Sequence, residues 1–137
     1  MSKRNFFLLM LCTLFALLPS SAFSQKSHQP QIKYVLRNLR ITKEQKSALT
    51  PILESYYIEI KEVKAPRAEL KRKYAAEEKS GNLTTEQCNQ LFASKIKQEH
   101  LELDVRQKYY EEFKKVLTVQ QAYNAIRLAN DKLKDVE

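Results

Sequence analysis

Ile41-Thr42-Lys43-Glu44-Gln45, Leu83-Thr84-Thr85-Glu86-Gln87 and Leu117-Thr118-Val119-Gln120-Gln121 repeat one arrangement: an aliphatic residue, a threonine, two variable positions and a glutamine. A threonine hydroxyl at a helix N-cap accepts from an orphan amide of the first turn, and a glutamine three residues on reaches back to the cap's own amide. The aliphatic residue in front is placed for the apolar half of a hydrophobic staple. Each copy marks a helix start. A single box occurs in any helical protein, whereas three in a short chain lay out its order of helices.

The sequence between the boxes agrees. Beyond residue 24 there is one glycine, Gly81, and three prolines, Pro30, Pro51 and Pro66, in a chain rich in Lys, Glu, Gln, Ala and Leu. No strand pattern emerges, and the expected class is all-α. Ile32, Val35, Leu36 and Leu39 fall on one helical face and predict a short first helix over residues 31–39. After the first box, Leu49, Ile52, Leu53, Tyr56, Tyr57, Ile60 and Val63 form a broad apolar stripe.

Pro51 lies inside that stripe. It either kinks one helix or stands at the first position of a new one begun at Thr50; the uninterrupted stripe favours a single bent helix. Pro66 is expected to end this element near Lys64, with a basic segment from Arg67 to Lys79 leading to a turn at Ser80-Gly81-Asn82. The second box then opens the longest helix, to about Lys115, on which Cys88, Phe92, Ile96, Leu103, Tyr110, Phe113 and Leu117 recur near every 3.5 residues. Glu99 and Arg106 fall on the same seam, which reads as a pairing surface of specified register or as a solvated overhang. The third box opens a last helix carrying Tyr123, Ile126, Leu128, Ala129 and Leu133, and the end from Lys134 to Glu137 is expected to fray. The expectation is four helices.

Residues 1–24 read as a cleavable signal peptide: Lys3 and Arg4 as the basic start, Phe6 to Leu18 as the apolar stretch, Ala22-Phe23-Ser24 as the small-x-small site. Pro19 and the serines after it interrupt the run before it reaches the roughly 20 residues of a spanning helix. Cys12 lies within the apolar stretch and away from the cleavage point, which argues against a lipid anchor. The expected organisation is a flexible tail over residues 25–30 and one domain over 31–137, released without stable membrane insertion. Loss of Lys3 and Arg4 lowers the formal charge of +8 by two and leaves a basic chain, for which export excludes nucleic acid as partner. So short a chain of long helices has little interior to share, and dimerisation would supply the missing burial.

Chemistry that needs a catalytic set finds none. His28 and His100 are far along the chain from Cys88, Glu77-Glu78 and Glu111-Glu112 diverge around a helix, and one glycine cannot build a phosphate loop. His100 and Asp104, one turn apart beside Glu99, are too few for a zinc site. Neither an enzyme, a metal site nor a cofactor is expected. Cys88 as the odd thiol is read as buried and reduced, the alternative being a link between two protomers. The strongest cluster is basic: Lys61, Lys64, Arg67, Lys71 and Arg72, with Tyr56, Tyr57 and Tyr74 interleaved. Lys64, Arg67, Lys71 and Tyr74 share a helical face if Pro66 lets the helix continue; the bland alternative is a solvated face paired locally with Glu62, Glu69, Glu77 and Glu78.

In its order of elements, and in Leu39 to Gln45, Lys64 to Arg72 and Tyr109 to Gln121, the chain resembles the Spy/CpxP (LTXXQ) family of periplasmic chaperones and stress regulators, from about Tyr34 to Leu133. The first and last boxes match that family's paired motif; the box at Thr84 and Gln87 is an additional copy. The resemblance implies a periplasmic protein with a long antiparallel helical hairpin in a cradle-like homodimer. It further implies an ATP-independent chaperone that holds unfolded client proteins on a basic, Tyr-containing concave surface, here Lys61, Lys64, Arg67, Lys71, Arg72, Tyr56, Tyr57 and Tyr74. The alternative within the same family is a regulatory or metal-responsive protein acting on an envelope stress-signalling partner.

Overall fold

The structure, a computed structural model, describes residues 28–131, so the signal peptide, the start of the tail and the final residues from 132 lie outside it. Among the described residues the chain is all-α, with five helices: α1 (Gln29–Asn38), α2 (Lys43–Lys73), α3 (Ala75–Ser80), α4 (Thr85–Lys114) and α5 (Val119–Asn130). All three capping boxes form. Thr42, Thr84 and Thr118 accept from the amides of Gln45, Gln87 and Gln121, and each glutamine accepts in return from the threonine amide at 2.9–3.0 Å.

The first and third boxes are also joined to each other. Gln45 Nε2 donates to Gln121 Oε1 at 2.9 Å, and Gln121 Nε2 donates to the carbonyl of Arg40 at 3.1 Å. Two hydrogen bonds thereby tie the α1–α2 turn to the α4–α5 turn beside the buried side chains of Leu39, Leu49 and Leu117. The middle box makes only its local pair.

Helix α2 runs without interruption through Pro51 and Pro66. A single helix across Pro51 agrees with its continuous stripe, but the expected end near Lys64 is corrected: the break comes at Tyr74. Both prolines, and Ser47 and Glu62 four residues before them, are exposed, so the carbonyls left without an amide partner face water. Inward, Val63, Arg67, Leu70 and Tyr74 continue the packing face past Pro66 at spacings of four, three and four. That continued contact with α4 overrides the proline. At the other end α1 begins at Gln29, with Pro30 in the first turn, where a missing amide costs nothing. The basic segment therefore divides between α2 and the short α3. Gly81, at φ 72°, caps α3 while the amide of Asn82 bonds back to the carbonyl of Glu77.

Partners along α2 and α4 run in opposite order: Tyr56 meets Tyr109 and Phe113, Glu59 meets Lys108, Lys64 meets Glu102 and Tyr74 meets Gln90. The apolar core sits at one end of this pair, where Ile32, Val35, Leu39, Leu49, Leu53 and Phe113 pack with Ala122 and Ala125 of α5. On α4 no residue before Glu102 is buried, and on α2 only Tyr74 is buried beyond Tyr56. The long helices thus leave the core as a two-helix rod. Along it Phe92 and Leu103, 66% and 58% exposed, lie uncovered with Ile96. Cys88, expected to be buried, is exposed for the same reason: it sits on the rod, away from the core.

The linked boxes give a stability test. Gln121→Ala should cost about 1 kcal/mol more than Gln87→Ala in chemical denaturation, because it also removes the bonds to Gln45 and Arg40. Gln45→Ala and Gln121→Ala should be non-additive in a double-mutant cycle, while Gln45→Ala and Gln87→Ala should add.

Candidate binding groove

The core end opens on one side into a groove of ≈ 1200 Å³ between α1, α2, α4 and the end of α5. One wall is held by tyrosine hydroxyls. Tyr56 donates to Asn130 Oδ1 at 2.5 Å, Tyr57 to the carbonyl of Ala129 at 3.3 Å and Tyr34 to Asp131 Oδ2 at 3.3 Å. The last turn of α5, whose carbonyls have no helical partners of their own, is fastened by side chains from α1 and α2. Tyr56 is 2% exposed and packs edge-on against Tyr57, Tyr109 and Phe113. At the mouth His28 stacks on Tyr57, their ring centroids 5.7 Å apart.

The floor holds a carboxylate. Glu102 is 8% exposed; Arg106 reaches one of its oxygens at 2.9 Å, Gln98 donates to the other at 2.6 Å, and Lys64 Nζ stands 3.9 Å away. Around it the lining is apolar and aromatic, with Pro30, Tyr34, Leu36, Ile60 and Ala129. The charged groups are predominantly basic: Lys33, Arg37, Lys46, Lys61, Lys64 and Arg106 against Glu102 and Asp131.

Burial raises the pKa of Tyr56 and, more strongly, of Tyr57, where the neighbouring Tyr56 and Asp131 add to it. On the far side of the helix pair, burial and then the Glu59 carboxylate push Tyr109 up to about 12, while the Lys108 hydrogen bond holds Glu59 below the usual carboxylate range. His28 is lowered, first by burial and then by Lys61.

Of the residues singled out in the sequence, Lys61, Lys64, Tyr56 and Tyr57 line this groove. Tyr56 does so as a core side chain, almost wholly buried. Tyr74 is likewise buried, its hydroxyl donating to Gln90 Oε1 at 2.6 Å. Arg67 is half-buried, its Nε buried without a hydrogen-bond partner. Lys71 and Arg72 are exposed farther along the rod, Arg72 in a local pair with Glu69 at 3.0 Å. The continuous helix does put Lys64, Arg67, Lys71 and Tyr74 on one side, but that side is largely used against α4.

Sequence reasoning missed Lys33, Arg37, Lys46 and Glu102. The spacing of Lys33 and Arg37, one helical turn apart beside the Ile32–Val35 stripe, and the Glu102–Arg106 pair at the same interval carry the only local signal. Among the described residues no three His, Cys, Asp or Glu side chains gather as a metal site, and no helix is long and apolar enough to cross a membrane. Comparisons of the chain with protein-family models, curated proteins and solved structures found no match.

The tyrosines set an alkaline limit. Their pKa values are raised by folding, so their contribution is complete below the unfolded value of 10.0 and is lost as pH rises through the folded values, about 12 for Tyr109. The urea midpoint should therefore be insensitive to this group below pH 10.0 and fall above it. Tyr57→Phe should be less steep over that range.

Proposed function

We propose that this chain is an ATP-independent periplasmic holding chaperone that takes hold of unfolded or aggregation-prone segments of other proteins in its basic groove. The observation that carries the reading is the open groove itself, with aromatic and aliphatic walls and cations outnumbering carboxylates. Such a surface attracts extended, partly acidic polypeptide over a Debye length and then offers lysine stems and ring faces for modest apolar contact. Contact of that strength lets a segment leave and fold. The resemblance in the boxes and in the Lys64–Arg72 stretch points the same way. Lys61, Lys64 and Tyr57 are the capture residues in this reading, with Arg67, Lys71 and Arg72 extending the basic field along the rod.

The working unit is a homodimer. Phe92, Ile96 and Leu103 form an apolar stripe that nothing among the described residues of one chain covers, and a second α4 laid against it would bury them on a seam whose register Glu99 helps to set. In that arrangement the two long helices of each chain form the hairpin of a cradle.

With a denatured client and no nucleotide, the protein should suppress light scattering at near-stoichiometric amounts, and added salt should weaken the effect. Lys61→Glu with Lys64→Glu should reduce suppression more than Lys71→Glu with Arg72→Glu, helicity staying unchanged in both. Absence of suppression at several-fold excess would redirect the proposal to a regulator of a signalling partner. Phe92→Lys with Leu103→Lys should convert dimer to monomer in sedimentation equilibrium.

A further inference from the structure

The groove floor is electrostatically incomplete. Arg106 meets Glu102 through one terminal nitrogen, while its Nε is buried without a hydrogen-bond partner. Lys64 stands at the outer limit of an ion pair with the same carboxylate and its side chain is half exposed. Lys61, on the rim, has no acidic partner within ion-pair distance among the described residues. Glu102 therefore faces two cations, Arg106 and Lys64, while Lys61 lines the same groove unpaired. Two further polar atoms lining the groove are also buried without partners, His28 Nε2 and Gln31 Oε1.

An unpartnered guanidinium nitrogen requires an acceptor, and the Gln31 oxygen requires a donor. A simple anion supplies only acceptors. An extended peptide supplies backbone amides, carbonyls and, where it carries Asp or Glu, a carboxylate for Arg106 and Lys64. We propose that Glu102 is an internal competitor for these cations: it keeps Arg106 and Lys64 in place in the empty groove and sets the affinity for extended segments that carry an acidic side chain between apolar ones. This rests on the reading of the groove as a polypeptide-capture site and names the class of segment it prefers. The incoming carboxylate shares Lys64 and Arg106 with Glu102, so repulsion between the two acids limits how tightly the segment is held.

The test uses two labelled synthetic peptides of Leu and Phe around a central Glu or Gln, titrated with the protein in fluorescence anisotropy. The Glu peptide should bind more tightly, and Glu102→Gln, which keeps an acceptor for Arg106, should widen that preference by roughly three- to tenfold. Lys61→Gln with Lys64→Gln, both on exposed positions that do not threaten folding, should erase the preference for the Glu peptide. Equal binding of the two peptides, or a preference unchanged in either variant, would overturn the role of Glu102. If aggregation is still suppressed in that case, the holding function survives without it. If neither peptide binds and aggregation is not suppressed, both readings fall together.

Discussion

Two helices of about thirty residues each, 31 in α2 and 30 in α4, are joined to a supply of large apolar side chains that can close only one end of the pair. That imbalance shapes the rest. The N-terminal part of α2 and the C-terminal part of α4 find α1 and α5 to pack against, and there Leu49, Leu53, Tyr56 and Phe113 are fully enclosed. Past Tyr56 and before Glu102 the same helices have only each other. A two-helix pair can bury one side of each member and no more, so within one chain Phe92 and Leu103 stay uncovered by the described residues, and the polar floor around Glu102 forms where the enclosed end gives way to the open one.

The groove is the boundary between these two regimes. It exists because α1 and the last turn of α5 stop short of covering α2, and because tyrosine hydroxyls keep that last turn from peeling away. Each hydroxyl contributes about the 1 kcal/mol of a typical net hydrogen bond, and it also answers polar groups that would otherwise be desolvated without a partner. Tyrosine does in this wall what phenylalanine could not: its ring packs and its hydroxyl fastens.

Much of the fold was legible because its signals are local. A threonine and a glutamine three residues apart act within a single turn, and all three boxes form where the sequence places them. The end of α2 is not legible at Pro66 because the signal of a proline is local while the outcome is not: Val63, Leu70 and Tyr74 keep an inward face across the break in hydrogen bonding, Tyr74 bonding to Gln90 of α4. Tyr56 and Tyr57 are neighbours with equal chemistry in sequence, and only the positions of α4 and α5 decide that one fills the core and the other lines the groove mouth. Cys88 was misassigned for a related reason, since a periodic seam in sequence does not reveal which of its residues have a neighbour. The groove was the least legible part. Its charges come from α1, α2 and α4, Arg106 of α4 lying more than forty residues beyond Lys64, and no spacing along the chain brings Lys33 toward Arg106.

In the proposed reading, the partly matched cations would let one site be both formed in advance and weak. With no internal acid, Arg106 would sit half-buried and uncompensated, a position that costs several kcal/mol and would favour collapse or rearrangement of the floor. With a full set of internal acids, the floor would be neutral and nothing would draw a segment in. Glu102 stands between these limits: enough negative charge to hold Arg106 in place, too little to satisfy Lys61 and Lys64 as well. In the proposed reading, a site built this way would need no rearrangement to receive a carboxylate and no energy source to release it, because the acid displaced in part stays within reach of the same cations.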